Sequence, residues 1–252
     1  MQPALSFLGV GDASQQGLGH ASACVELGDR RLLIDLGPGV LQAYMESYAA
    51  LPEALFITHC HLDHIADFEK LFIKAWFAKL EHGAAFERPL LFVSVAIVAL
   101  LHERVANYPG ALAEGGVNFW QAFQLIPVAR SFEFGGCEFQ LVPARHHKPG
   151  TAYGLYLPGH FFYTGDTRPI PEVLEHTIDE HCLVFHDCSV QGNPSHSGID
   201  DLKREYSQAL LQRLWCYHYN SPAQRQAFND AGLKSVQPGQ RFTALGLSGQ
   251  SG

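Results

Sequence analysis

The chain has 252 residues, enough for a substantial core, and its 47% hydrophobic and 17% charged content fits a folded globular protein, not a disordered one. Its formal net charge is −8, with only 17 lysines and arginines. Such a surface argues against a general nucleic-acid binder, which needs a basic face to neutralise phosphates, but it leaves room for one small anionic substrate.

The first residues, Met1-Gln2-Pro3-Ala4-Leu5, lack the basic start and apolar stretch of a secretory signal, so a cytoplasmic protein is expected. Strands are predicted at 4–8, 23–27 and 31–35, the last two joined by a Gly28-Asp29-Arg30 turn. A helix over 40–48 follows Gly37-Pro38-Gly39. The apolar run 54–57 reads as a strand, and apolar residues at helical spacing then fill 68–80, with Lys70, Lys74 and Lys79 on the wet face. The run 89–101 is broken by Ser94 and too short to span a bilayer; it reads as a strand over 90–95 entering a helix, and no membrane contact is expected.

A second half begins near 119–128. It continues with strands at 131–134, 138–143, 153–157 and 160–164, a helix over 170–176, a strand at 182–185, a helix over 200–213 and a strand at 214–217. Without a low-complexity linker, the pattern predicts one α/β (α+β) domain over 1–252: two mixed sheets packed face to face with helices outside, a four-layer αββα sandwich. Six cysteines without C-x-x-C spacing are expected to be reduced and buried.

The strand at 54–57 runs into Thr58-His59-Cys60-His61-Leu62-Asp63-His64. Period-two geometry sends His59 and His61 to one side as the chain leaves the sheet, while Asp63 and His64 open the next segment. Imidazole and carboxylate are the ligands zinc accepts, and two adjacent ions suit hydrolysis. A lone His-x-His is more often a solvated loop; four ligand-type residues after a buried strand point to a metal site. Further ligand types stand at later strand ends: His146 and His147, Asp166 behind Gly165, and His218. Sites in sheet-based enzymes collect at such ends.

With Phe7-Leu8-Gly9-Val10-Gly11, Leu32-Leu33-Ile34-Asp35-Leu36-Gly37, His-x-His-x-Asp-His and Tyr163-Thr164-Gly165-Asp166-Thr167, the chain resembles the metallo-β-lactamase superfamily over almost its whole length. The resemblance implies a binuclear centre. His59, His61 and either His146 or His147, with His146 preferred, would hold one divalent ion; Asp63, His64 and His218 would hold the other; Asp166 would bridge them. Zinc suits such ligands, and manganese or iron is tolerated.

The nearest likeness is to the phosphodiesterase branch, with tRNase Z and the phosphonate-pathway cyclic phosphodiesterases. His186-Asp187-Cys188 stands where those enzymes place an acidic residue, and Pro194-Ser195-His196-Ser197 resembles their His-Ser/Thr motif, although that segment also reads as a helix cap. The interval from Gly154 to Asp166 leaves no room for the basic arm with which tRNase Z grips tRNA. The implied activity is hydrolysis of a small or cyclic phosphodiester by a metal-bridging hydroxide, with Asp63 and His196 as catalytic side chains and His196 protonating the leaving oxygen. Asp187 and Asp35 are expected to orient ligand histidines. Arg145, Lys148 and Tyr163 are candidates to position the phosphoryl group but also read as ordinary surface or strand residues, and His186 as a plain strand end. The alternatives are hydrolysis of a carboxylic ester, lactone or thioester, and a non-catalytic binding member of the fold. Family members are commonly dimeric, so a homodimer is compatible.

Overall fold

A computed structural model describes residues 2–107 and 117–243. Two seven-stranded mixed sheets face each other. The first runs β14-β1-β2-β3-β4-β5-β6, from β1 (Ala4–Gly9), β2 (Ser22–Leu27), β3 (Arg30–Ile34), β4 (Ala54–Ile57), β5 (Leu90–Ser94), β6 (Gln124–Val128) and β14 (Arg241–Phe242). The second runs β13-β12-β11-β10-β9-β8-β7, from β7 (Ser131–Phe134), β8 (Cys137–Pro143), β9 (Tyr153–Leu157), β10 (Phe161–Tyr163), β11 (Leu183–Asp187), β12 (Leu214–Tyr217) and β13 (Lys234–Ser235). β3 to β6 are parallel to one another, as are β10 to β13, so the C-terminal ends of two parallel blocks can meet on one side.

The alternation of side chains along each strand builds the layers. In β4 every residue is buried, but Ala54 and Phe56 join the core between the sheets, whereas Leu55 and Ile57 join the core under the outer helices. β3 divides likewise, with Leu32 and Ile34 between the sheets and Leu33 outside. Phe7, Tyr163, Phe185 and Tyr217 interlock in the inter-sheet layer; ring centroids of Phe7 and Phe185 lie 5.1 Å apart, and those of Tyr163 and Tyr217 4.6 Å. Each phenylalanine there contributes roughly 1.5–3 kcal/mol by leaving water. This aromatic floor lies directly beneath the histidine cluster.

Outside the first sheet lie α1 (Val40–Tyr48), the one-turn α2 (Leu62–Ile65), α3 (Phe68–His82) and α4 (Val98–Leu101). α3 buries Phe68, Leu71, Phe72 and Ala75, the i, i+3, i+4, i+7 stripe of an amphipathic helix. Outside the second sheet lie α5 (Pro171–His176), α6 (Ile199–Glu205), α7 (Gln208–Gln212) and α8 (Arg225–Asp230). The four layers are those expected from the sequence.

Three details differ from the expectation. The helix predicted over 200–213 is two helices, because Tyr206 is extended and the Ser207 side chain accepts from Leu210 N–H to start a new one. The segment over 124–128, read as opening the second half, is the edge of the first sheet, paired with β5. The chain end crosses back as β14 to pair with β1, which no local pattern signals. Five cysteines are buried and Cys137 is half-buried. Among the described residues, no helix is long and apolar enough to cross a membrane.

Candidate metal centre

The C-terminal ends of β4, β8, β10, β11 and β12 converge on one point. His59 and His61 leave β4, Asp63 and His64 lie on α2, His146 follows β8, Asp166 follows β10, and His218 follows β12. Backbone bonds lock these ends together: Tyr153 N–H donates to Thr58 O at 3.0 Å, Leu36 N–H to His64 O at 2.6 Å, and His218 N–H to Val10 O at 2.7 Å. Of four non-glycine residues with positive φ among the described residues, three, Asp35 (62°), His147 (49°) and His218 (68°), lie at this point, as strained backbone does where surrounding structure fixes a site.

Asp166 is the hub. Its Oδ2 lies 3.5 Å from His59 Nε2, 3.3 Å from His64 Nε2, 3.4 Å from His218 Nε2 and 3.9 Å from His146 Nε2. Two groups of ligand atoms share it: His59, His61, His146 and Asp166, and Asp63, His64, Asp166 and His218. Either group could hold a metal ion. Ligands bound at roughly 2.0–2.1 Å around a tetrahedral zinc sit about 3.3 Å apart, close to the separations here. His59 Nε2, His64 Nε2, His218 Nε2 and both Asp166 oxygens are buried without a hydrogen-bond partner. Buried polar atoms are seldom left so unless something other than a hydrogen bond satisfies them, and a shared cation would do so.

The opposite ring nitrogens are anchored. The Thr58 hydroxyl donates to Asp35 Oδ2 at 2.7 Å and so accepts from His59 Nδ1 at 3.0 Å; His64 Nδ1 donates to Asp35 at 2.8 Å; His146 Nδ1 donates to Ser195 O at 2.9 Å. Each bond fixes the tautomer that turns Nε2 to the centre. Burial, with the charge of His64, holds His59 well below its ordinary pKa; burial and His146 push His61 down to about 4; burial also lowers His146. These rings keep free lone pairs at neutral pH. Burial disfavours charge on His64 and His218 too, but Asp166, with Asp35 or Asp187, outweighs it and raises both. Burial likewise opposes ionisation of Asp166, and His218, His64 and His59 overcome it and hold the carboxyl well below the usual range.

Asp35 therefore acts through other residues. Removing it with Asp35→Ala leaves His64 Nδ1 and the Thr58 hydroxyl unanchored and is expected to weaken metal affinity by about 10–100-fold, read by competition with a chromophoric chelator.

His147 is not brought into either group. Its left-handed backbone turns it outward, where its ring lies against His61 at 4.8 Å and its Nδ1 meets Ser195 Oγ at 3.3 Å. His146 is the member of the pair that reaches Asp166. Arg145 is exposed and ion-paired with Glu172 at 2.8 Å; Tyr163 is buried in the aromatic floor. His186 is buried on the far side, bonded to Tyr206 Oη at 2.7 Å.

His196 lies at the rim of the centre. Its Nδ1 donates to Asp187 Oδ2 at 2.8 Å and is 4.0 Å from Asp166 Oδ2. Asp187 Oδ2 also accepts from Thr167 N–H at 2.8 Å, and Oδ1 faces His218 Nδ1 at 3.4 Å. Asp166, Asp187, His196 and His218 form a third compact group; Asp187 Oδ2 is taken by the Thr167 and His196 donors, while its Oδ1 is buried beside His218 without a hydrogen-bond partner. Burial lowers the basicity of His196, while the bond and charge of Asp187 and the charge of Asp166 raise it to a net increase.

A cleft of about 230 Å³ opens over Asp63, Asp166, His196 and His218, walled also by Asp12, Ser14, Ser189 and Asn193. Sequence reasoning did not single out these wall residues. The glycine-rich stretch from Gly9 to Gly19 was the available signal: Asp12 Oδ1 accepts from the Ser14 amide and hydroxyl, and Asn220 Nδ2 reaches Ser14 O at 2.9 Å, tying this turn to the His218 loop. A larger depression of about 730 Å³, lined by Leu174, Ile178, Arg213 and Lys234, lies at the opposite, N-terminal ends of β11 to β13, away from this chemistry.

Two sheets with helices on both outer faces and a His/Asp cluster at the strand ends define a metallo-β-lactamase fold. The metallo-β-lactamase fold protein YhfI from Bacillus subtilis superposes with a TM-score of 0.77 at 15% identity, covering 96% of this chain and 99% of that one. A diphosphatase of the PhnP family superposes at 0.70 with 19% identity, over 96% and 97% of the two chains. The family described as Anti-Pycsar protein Apyc1 matches residues 3–242, and the chain belongs to it. Relatives carrying that name include one from Paenibacillus harenae, 24% identical over 94% of this chain and 98% of the relative, and one from Bacillus phage 010DV004, 26% identical over 91% and 93%.

Proposed function

We propose that this chain is a metal-dependent phosphodiesterase that opens cyclic nucleotides. The observation that carries the reading is His196, fixed by Asp187 at the rim of a centre built around Asp166. The family's description as an anti-Pycsar protein supports degradation of a cyclic nucleotide as the activity.

In this reading one ion is held by His59, His61, His146 and Asp166 and a second by Asp63, His64, His218 and Asp166, with zinc suited to the nitrogen and oxygen ligands. Bound divalent ions supply Lewis acidity and a nucleophile active near neutral pH. The small cleft receives one phosphodiester and its immediate substituents. Asp187 engages His196 Nδ1, and His196 lines the cleft, where its Nε2 would give a proton to the departing ribose oxygen as the ring P–O bond breaks and an oxygen from water joins phosphorus. The product is a linear nucleoside monophosphate.

The test is product analysis after incubating metal-loaded protein with 3′,5′-cyclic nucleotides and, separately, a lactone panel. Ring opening of the cyclic nucleotides is expected, and His196→Ala should cut kcat by on the order of 10²-fold or more. Lactone turnover without cyclic-nucleotide turnover would overturn the reading.

A further inference from the structure

The three residues Asp166, Thr167 and Arg168 each address a different part of the site. Asp166 is the hub of the histidine cluster. Thr167 donates its N–H to Asp187 at 2.8 Å, and its carbonyl accepts from Ser197 N–H at 3.1 Å and Ser197 Oγ at 2.8 Å. Arg168 Nη1 donates to the carbonyls of Asn193 and His196, both at 3.0 Å, and to Asp201 Oδ2 at 2.7 Å, while Nη2 reaches Asp201 Oδ1 at 3.3 Å. Asp201, at the start of α6, also accepts from Gly198 N–H at 3.0 Å.

The loop carrying His196 is held by polar contacts: besides these bonds, His146 Nδ1 donates to Ser195 O at 2.9 Å, Asn193 N–H to His196 O at 3.1 Å and Ser189 N–H to Ser197 O at 3.0 Å. Residues 191–194 are exposed, and within the loop the Asn193 side chain caps the Ser195 and His196 amides at 2.8 and 3.0 Å. The guanidinium, with donors in a fixed planar fork, bridges the His196 main chain to a carboxylate on a helix. The packing leaves no slack: a Cβ on Gly192 would lie 2.0 Å from Asp201 Oδ2 and 3.1 Å from Arg168 Nη1.

From this geometry we infer that Arg168, held by Asp201, is a positioning residue that sets the His196 imidazole for proton transfer to the leaving group. The inference rests on the acid role given to His196 above. Arg168 itself touches no cluster nitrogen; it acts on the carbonyl of the residue whose ring does the work.

The chemistry supplies a discriminating readout. A ribose alkoxide must be protonated as it leaves, whereas p-nitrophenolate leaves unaided, so only the former needs a correctly placed acid. Metal-loaded wild type, Arg168→Ala, Arg168→Lys, Asp201→Asn and His196→Ala are compared on a 3′,5′-cyclic nucleotide and on bis(p-nitrophenyl) phosphate, with amide hydrogen exchange over 193–198 measured on the same samples. In Arg168→Ala, kcat on the cyclic nucleotide should fall about 10-fold or more beyond any fall on the activated diester, with KM within a few-fold and faster exchange at the Ser195, His196 and Ser197 amides. Asp201→Asn should follow in the same direction, and Arg168→Lys, which keeps the charge but not the fork, should recover part of the loss.

Equal losses on both substrates, unchanged exchange, or a KM rise at constant kcat would overturn the positioning role; the last would place Arg168 against substrate. If His196→Ala itself does not discriminate between the substrates, the acid assignment to His196 fails, and the exchange data alone then decide whether Arg168 orders the loop.

Discussion

Asp166→Asn is expected to cost on the order of 10³-fold or more in kcat and to lower the number of ions retained after gel filtration, read by elemental analysis. Four histidine nitrogens lie 3.3–3.9 Å from one oxygen of this side chain. The asparagine is nearly isosteric, so the fold should persist, but it has no negative charge and one of its heteroatoms becomes a donor. His64 and His218, whose basicity Asp166 raises, lose the partner common to both, while Asp35 still holds the outer nitrogen of His64 and Asp187 still faces that of His218. The cluster then carries uncompensated positive charge where a cation should bind.

Thermal denaturation gives an independent measure. A ligand present at 100 times its Kd stabilises the native state by about 2.7 kcal/mol. For a chain of this size that amounts to a rise in Tm of about 5–11 °C on metal addition to chelator-stripped wild type. Asp166→Asn should show a much smaller rise. Wild-type metal content and a full Tm response in the variant would contradict the hub role.

Legibility from sequence followed the distance over which information is needed. The His59–His64 motif was readable because its ligands are contiguous and follow a buried strand whose residues Leu55 and Ile57 declare their side of the sheet. Asp166 and His218 were readable as strand-end residues, since the same topology delivers them to one edge. The choice between His146 and His147 turned on a backbone conformation, the φ of 49° at His147, which no spacing encodes. Asp187 was expected to orient one histidine; that it binds His196 and also faces His218 depends on the parallel pairing of β11 with β12, which sets Asp187 opposite Tyr217. Nothing local marks Arg168, because its partners lie 25 to 33 residues away. Tertiary contacts also surround the break at Tyr206, whose hydroxyl accepts from Ile170 N–H at 2.9 Å.

Gly37→Ala tests how the fold itself sets the proposed metal ligands. Gly37 follows β3 and backs directly onto the ligand helix α2. A Cβ there would sit 1.7 Å from Asp63 O and 2.7 Å from Asp63 C. Real Cβ contacts do not fall below 3.0 Å, so the two segments must separate by about 1.3 Å, the difference between 3.0 and 1.7. Neither can yield cheaply, because Leu36 N–H is bonded to His64 O and Asp67 N–H to Leu36 O. Overpacking of this kind costs roughly 1–3 kcal/mol, or about 2–12 °C in Tm. The displaced segment carries Asp63 and His64, and a misplacement near 1 Å is worth about 10²-fold in rate. Activity and metal content should therefore fall together with stability. Gly39→Ala is the control: its φ is 82° but no atom lies within 4 Å of the added carbon, so strain should lower Tm while metal content and kcat stay near wild type. Wild-type metal content and kcat in Gly37→Ala would mean that α2 is free to move without its ligands mattering, and the fixed-ligand account of the centre would have to be abandoned.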